Sequence, residues 1–357
     1  MEIIATSVHL IDYENGEIRT ITPPEAFGEY VSGLIGDINS NTTVREFMTL
    51  SVRTEVINAI LDTQAHINNP QTIQDNANII ARRLLNKETA AQQRIEHLEI
   101  QVQKGSLVQA YISDEQTGNK TYLLAKVEHG GFVDDIDFSF KSGFSKDKKT
   151  VWKTCIFDLT NASNGCYNAK VYSNTAAKYW WSDFLELTPV IDDERNTKVA
   201  FKAIDHELYS IIKRNAPFDH TVLRNAFVSK FKRSEHLDYD SMIHEIMDNY
   251  TPSDLPVDAL SNLRDKLLGL PDVRKFDRQF TPVPSAIRAR IKTEYNIYQG
   301  IKLQITDEIE KIEEVICSER DEHGTQYLKI RTTDNATFQK FLKHREKRGT
   351  ILIGGNK

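Results

Sequence analysis

The sequence predicts an α+β fold with antiparallel sheets, helical segments and at least two domains. Short strand-like segments separated by polar turns alternate with longer segments of helical periodicity, an order typical of this class. The 357 residues are 39% hydrophobic and 27% charged, which is typical of a folded globular protein of two or three domains. Apolar stretches fall short of the roughly 18 residues that a spanning helix needs, so we expect no membrane partner.

Residues 1–173 are assigned to an N-terminal α+β domain with a helical hairpin and a strand meander. Its first two strands flank a turn at Asn15 and Gly16, and Pro23 and Pro24 begin the helix that follows. The elements are predicted, in chain order, as strands at 3–12 and 18–21, helices through 27–34, 44–65 and 73–98, and strands at 107–112, 122–127, 132–140, 150–157 and 167–171.

The segment from 73 to 98 carries the strongest helical signal. Its apolar residues recur at steps of four and three, with one gap near Lys87, and they are Ile73, Ala77, Ile80, Leu84, Ala91, Ile95 and Leu98. A stripe this narrow is typical of a long helix that packs in an antiparallel hairpin or in a dimer seam. We favour the hairpin within one chain, because loops between neighbouring helices are usually short.

Residues 174–280 are assigned to a helical segment, and residues 281–357 to a C-terminal unit of β-hairpin and helix. The acidic residues Asp192, Asp193 and Glu194 precede one helix, where negative charge meets the positive end of the helix dipole. The elements are predicted as helices near 180–185 and at 197–213 and 221–231, a proline-punctuated connection between 252 and 284, strands at 287–295, 301–305, 312–317 and 327–330, and a helix at 334–347.

Charge is separated along the chain, although the whole molecule has a formal net charge of −6. Residues 1–100 hold 7 Lys and Arg against 14 Asp and Glu, whereas residues 251–357 hold 19 against 16. This excludes a protein coated in positive charge, but a local basic face can still contact phosphates. The three cysteines form no C-x-x-C pair, which disfavours disulfides and thiolate zinc sites and favours the cytoplasm.

The closing helix carries the sharpest functional hypothesis. We expect its apolar side, formed by Phe338, Phe341 and Leu342, to dock on the protein and to leave a row of lysines facing outward. Such a row could follow a phosphate backbone, and an ordinary solvated face is the competing interpretation. The candidate DNA-binding residues of this helix and its end are Lys340, Lys343, Arg345, Lys347 and Arg348.

Two further basic clusters are candidate DNA-binding sites. Arg288, Arg290 and Lys292 alternate along a predicted strand, so they would share one face of its sheet. The other cluster lies in a loop that enters a strand and comprises Lys141, Lys146, Lys148, Lys149 and Lys153. Surface cations often have no such role, so solvation is the alternative for both clusters.

We assign no catalytic residue, metal ligand or cofactor from the sequence. Neither a G-x-S-x-G motif nor a P-loop occurs. Asp134, Asp135 and Asp137 could hold a hard cation, but their spacing is not that of an EF-hand, and an acidic turn is the favoured interpretation. The aromatic run from 179 to 181 is expected to bury in a core rather than to stack on bases.

Three stretches have a recognisable order along the chain. They are the strand pair from 107 to 127, the segment from 178 to 185 with its Tyr-Trp-Trp run, and the closing block from 301 to 345. In this order the chain resembles the bacterial nucleoid-associated protein family, the NdpA-like group. The resemblance implies a cytoplasmic protein that associates with the nucleoid and binds double-stranded DNA, with no established catalytic residues and no site motif to transfer.

The leading hypothesis is therefore non-enzymatic, sequence-tolerant DNA binding through a basic C-terminal unit, in a protein that could be a homodimer. One alternative is a metal-dependent nuclease, or a DNA-binding component of a bacterial defence system, that uses Asp134, Asp135 and Asp137 or the acidic residues 192–194. The other alternative is an interaction adaptor whose long helix near 73–100 docks a protein partner or a second copy.

Overall fold

The computed structural model describes residues 2–23, 27–41, 43–95, 102, 105–114, 116–133, 140–144, 151–162, 165–173, 178–213 and 215–342. Helices and antiparallel sheets are both present, which confirms the predicted α+β class. Within these residues no helix is both long enough and apolar enough to cross a membrane. The division of the chain at residues 173 and 280 remains a prediction.

One large antiparallel sheet occupies the N-terminal part of the chain. In the described residues its nine strands are β1 (Glu2–Asp12), β2 (Glu17–Ile21), β3 (Arg45–Thr49), β4 (Gly105–Asp114), β5 (Asn119–Val133), β6 (Phe140–Phe144), β7 (Val151–Asp158), β8 (Asn168–Ser173) and β9 (Leu187–Pro189). The strand order is β2-β1-β4-β5-β7-β8-β3-β9, and β6 pairs with the far end of β5. The predicted meander is confirmed, because β4, β5, β7 and β8 are successive antiparallel neighbours.

Helices cover both faces of this sheet. Helix α1 (Phe27–Ser40) packs on one face, and α2 (Glu55–Ala65), α3 (Pro70–Ile95) and a π-helical turn at Tyr179–Phe184 pack on the other. Strand β4 is buried from Gly105 to Ile112 because successive side chains point to opposite faces and meet a core on each. Leu107 belongs to the core under α2 and α3, and Val108 to the core under α1.

The strongest helical signal is confirmed as α3, and α3 pairs with α2 in the predicted intramolecular hairpin. The amide of Asn76 donates to the carboxylate of Asp62 across the hairpin at 2.8 Å. The aromatic run is confirmed as core, since Trp180 is fully buried, with its ring centroid 5.0 Å from that of Phe184, and Tyr179 and Trp181 pack partly buried against the same cluster. Burial explains these rings, so they are not a surface for stacking bases.

The single helix predicted at 44–65 is wrong in its first half, because α2 begins only at Glu55. Residues Arg45–Thr49 form β3, which joins β8 on one side and β9 on the other. Phe47 is buried in the sheet core, whereas Glu46 on its neighbouring position is exposed. This alternation at period two is a strand signal, and five residues are too few to separate it from the helical signal that follows.

A second hydrophobic core lies among the helices after residue 193. Its elements are α4 (Asp193–Ile211), α5 (Pro217–Arg233), β10 (Leu237–Asp238), α6 (Tyr239–Asp248), α7 (Val257–Arg274) and β11 (Gln279–Phe280). Asp192 begins α4 by accepting from the backbone N–H of Arg195 at 2.7 Å, which confirms the predicted acidic helix start. Phe231 packs at the centre of this core against Phe201 and Phe280.

The proline-punctuated connection predicted between 252 and 284 is wrong, because α7 occupies its middle. Pro256 directly precedes α7, and Pro271 lies inside its last turns. A proline has no N–H, so Pro271 leaves the carbonyl of Leu267 without its helical donor. The buried hydroxyl of Tyr239 donates to that carbonyl at 2.9 Å and replaces the missing bond.

We predict that Tyr239→Phe lowers the free energy of unfolding by about 1–3 kcal/mol, because the Leu267 carbonyl would be buried without a donor. Urea unfolding followed by circular dichroism measures the change. Pro271→Ala supplies a backbone N–H at the same place, so the loss should shrink when the two substitutions are combined. An equal loss in both backgrounds would contradict this role for Tyr239.

The chain ends in short elements with little core of their own. They are a 3₁₀ turn at Pro284–Ile287, α8 (Arg288–Ile291), β12 (Thr293–Tyr298), β13 (Ile301–Ile305), α9 (Ile312–Val315), β14 (Ile316–Arg320), β15 (Gln326–Ile330) and α10 (Asn335–Phe341). From 293 to 342, a stretch that the structure describes throughout, Ile312 is the one fully buried residue. The Asn225 side chain of α5 holds this stretch through the N–H and C=O of Ile309, at 3.0 and 2.6 Å.

Candidate nucleic-acid interface

The structure describes only part of the predicted DNA-binding set. Lys340 is exposed on α10, whose start is capped by Asp334. Lys153, from the loop cluster, is buried, with its ammonium 5.5 Å from the Tyr179 ring centroid, so it is not a surface cation. The predicted residues that lie outside the described part of the chain are Lys146, Lys148, Lys149, Lys343, Arg345, Lys347 and Arg348.

The strand predicted at 287–295 is wrong over its first half. Residues 284–291 form the 3₁₀ turn and α8, so Arg288, Arg290 and Lys292 do not share one face of a sheet. Ile287 and Ile291 are both buried in the second core, and their spacing of four residues is the helical period. The cations of this segment are exposed, but they are presented by a helical turn.

Arg290 and Lys292 nevertheless line a cleft with cations from α4 and α5. We call it the basic cleft and define it by Lys213, His220, Arg224, Arg290 and Lys292, with a volume of about 390 Å³. The guanidinium of Arg224 is central to it, donating to the Arg290 carbonyl at 2.5 Å and pairing with Asp205 at 2.6 Å. Arg224 thereby fixes the end of α8 against α5.

Acidic residues also line the basic cleft, but Arg224 and two lysines outside the defining set neutralise them. Asp205 is paired with Arg224, Glu294 with Lys302 at 2.6 Å, and Asp307 with Lys232. In the part of the chain that the structure describes, Lys213, Arg290 and Lys292 form no ion pair. Three exposed cations are therefore available to an anion at this one place.

The pKa of His220 is lowered in the cleft, mainly by burial and secondarily by the neighbouring cations. Burial lowers this pKa below its ordinary value, the charges of Lys213 and Arg224 lower it further, and Asp205 opposes them. The ring is neutral near pH 7, since an ordinary histidine already has a pKa of about 6.5. A phosphate placed in the cleft would favour the protonated ring, so His220 could add a further cation on binding.

Two tyrosines flank these cations. Tyr209 is 60% exposed, and the ammonium of Lys213 lies 4.3 Å from its ring centroid. Tyr295 of β12 is 39% exposed on the other side of the cleft. Exposed aromatic rings among cations are typical of surfaces that contact nucleic acids, because rings meet sugars and bases while cations meet phosphates.

Sequence reasoning missed the contribution of α4 and α5 to this site. Tyr209 is near the end of α4 and Lys213 follows four residues later, just beyond the helix, and His220 and Arg224 have the same spacing within α5. The spacing within α5 places His220 and Arg224 on one helix face. This spacing is visible in the sequence, but only the fold brings both pairs next to residues 290–295.

The acidic cluster at 192–194 is engaged in structural contacts. Asp192 caps α4, Asp193 pairs with Arg45 at 2.9 Å and Glu194 pairs with Lys198 at 2.5 Å. Asp134, Asp135 and Asp137 lie outside the described residues. Within the described ranges no group of three or more His, Cys, Asp or Glu side chains is arranged to hold a metal ion.

No family model matches this chain, and the search of curated proteins finds no match either.

Proposed function

We propose that the protein binds double-stranded DNA without sequence specificity and without catalysing a reaction, as the resemblance to the NdpA-like nucleoid-associated proteins implies. One observation carries the proposal. Lys213, Arg290 and Lys292 converge on the basic cleft and form no ion pair among the described residues. Contacts to phosphate depend on such local cations, and a net charge of −6 does not prevent them.

The same cleft favours a nucleic acid over a small anion. The exposed rings of Tyr209 and Tyr295 extend the surface beyond the cations. A phosphate backbone presents repeated charges and flat sugars or bases, which match this mixture of groups. The predicted cations beyond residue 342 would add to the same end of the chain.

The test is a salt titration of binding to duplex DNA, single-stranded DNA and RNA of equal length. Duplex affinity should fall with salt by about 0.9 log units per decade for each phosphate neutralised. The variant Arg290→Gln/Lys292→Gln should weaken binding on the order of tenfold at low salt. Its salt slope should be shallower by about 0.9 for each phosphate that the variant no longer neutralises.

The matched control removes two positive charges elsewhere. Arg53 and Arg82 are exposed, and neither forms an ion pair among the described residues, so Arg53→Gln/Arg82→Gln changes the net charge equally. Equal loss of affinity in both variants would assign binding to overall charge and not to the cleft. Preference for RNA or single strands would overturn the duplex assignment, and Mg²⁺-dependent plasmid cleavage would overturn the non-enzymatic one.

A further inference from the structure

An apolar groove lies beside the basic cleft, between α5 and the two C-terminal hairpins. Its volume is about 510 Å³, and its lining includes Phe218, Val222, Ile297, Leu303, Cys317 and Leu328. Phe218 is 45% exposed on the α5 side of this groove. The lining of the groove is more apolar than that of the basic cleft, with which it shares Tyr295 and Ile312.

The hairpins that form the groove are weakly supported in a single copy. Strands β12 and β13 pair only with each other in the described residues, and so do β14 and β15. Isolated two-stranded hairpins are marginally stable in water unless another element packs on them. A contiguous exposed apolar surface of this kind is typical of a protein–protein contact.

The same chain carries a helix that matches the groove. The apolar side of α10 was expected to dock on its own chain, and that prediction is wrong: Phe338 is 49%, Phe341 81% and Leu342 41% exposed. Among the described residues, no α10 side chain lines the groove of its own copy. The helix begins soon after β15 ends, at the Asp334 cap.

We infer that α10 of a second copy occupies this groove, and that the two copies exchange α10 reciprocally. An amphipathic helix with apolar anchors one turn apart is the usual occupant of an apolar groove. Phe338 and Phe341 have that spacing on α10, and Leu342 directly follows the last residue of the helix. Each copy carries both the groove and the matching helix. Two copies that exchange these helices therefore form a closed dimer with twofold symmetry.

Charge supports this occupant. Lys340 is the one charged residue of α10, and the lining of the groove includes the carboxylate of Glu313. Glu310 is exposed just before the same short helix α9. A basic helix entering an acidic rim is favoured over an acidic partner helix, because opposite charges steer association and like charges oppose it.

A cysteine cross-link tests the contact directly. Cys317 is exposed in the groove, Cys155 is buried, and Cys166 is removed as Cys166→Ser. In that background of the full chain, oxidation of Phe341→Cys should give a covalent dimer through residues 317 and 341. Ala336→Cys, on the opposite side of α10, is the control and should give no dimer above the background. A cross-link within one chain, or none, would overturn the proposal.

Sedimentation of the uncross-linked chain gives the second measurement. The wild type should be dimeric, and Phe338→Glu/Phe341→Glu and Phe218→Glu should each be monomeric. A mixture of the two variants should form a heterodimer, because one intact helix then meets one intact groove. A monomeric wild type, or a helix variant that stays dimeric, would overturn the exchange. DNA binding by either monomeric variant through the basic cleft would leave the proposed function intact.

Discussion

Lys126→Met should lower the free energy of unfolding by about 3–5 kcal/mol, because it leaves a buried carboxylate without its cation. The ammonium of Lys126, on β5, pairs with Glu88 of α3, and both side chains are essentially inaccessible to water. The Tyr179 hydroxyl lies 3.4 Å from the same Glu88 oxygen, and burial, then the Glu88 charge, raise the pKa of Tyr179. Urea unfolding measures the loss.

The double variant Glu88→Leu/Lys126→Met separates the pair from the volume that it fills. With both members of the pair gone, the buried ammonium of Lys153 still lies beside Tyr179, so part of the lost stability should return. If Lys126→Met lowers the free energy of unfolding by less than about 1 kcal/mol, the Glu88 carboxylate can be hydrated or protonated at little cost in free energy. If Glu88→Leu/Lys126→Met is no more stable than Lys126→Met alone, the loss of stability comes from altered packing and not from the unpaired charge.

Asp219→Ala should destabilise the second core by at least about 3 kcal/mol, since hydrogen bonds to a charged acceptor contribute about 1.5–3 kcal/mol each. The buried Asp219 carboxylate accepts from the backbone N–H groups of Ser253, Asp254 and Leu255 at 2.7–2.8 Å, and from the Tyr250 hydroxyl. It ties α5 to the turn that precedes α7. Urea unfolding near pH 7 measures the change.

The contribution of Asp219 should depend on pH in a defined direction. Burial raises the pKa of Asp219, but the hydrogen bonds from Ser253, Tyr250 and the following amides outweigh it, so the pKa lies below the ordinary value. Stability from this carboxylate is thus fully present above the unfolded pKa of about 3.9 and is lost as pH falls through the lower folded pKa.

Asp219→Asn is the matched variant for this pH dependence. It keeps one acceptor oxygen and the shape of the side chain but removes the charge, so its loss near pH 7 should be smaller than that of Asp219→Ala. The difference in stability between wild type and Asp219→Asn should shrink in acid below pH about 4. A difference that stays constant through that range would contradict the role of the charge.

Elements with a long, clean period were predictable from the sequence, and short ones were not. Helix α3 and the β4–β8 meander carry many apolar residues at a regular spacing, so the local sequence pattern agrees with the tertiary packing. Strand β3 is five residues long, and its identity as a strand depends on pairing with β8 and β9, which lie more than a hundred residues away. Pairing at that distance is not visible in a local pattern.

The candidate site, like the fold, could be predicted only in part from the sequence. Arg290 and Lys292 were predictable as cations near the end of the chain, but Lys213 and Arg224 join them only because α4, α5 and α8 pack together. The helical turn at 288–291 was hidden because its alternating cations mimic a strand, while Ile287 and Ile291 carry the helical period. Charge composition predicted the region, and three-dimensional packing determined which residues share a surface.

The stretch from 293 to 342 has one consequence for its tolerance of substitution. With Ile312 as its single buried residue, most changes there alter only what solvent meets and leave both interior cores unchanged. Exposed positions outside the groove and α10 can therefore accept new side chains with little effect on the free energy of unfolding.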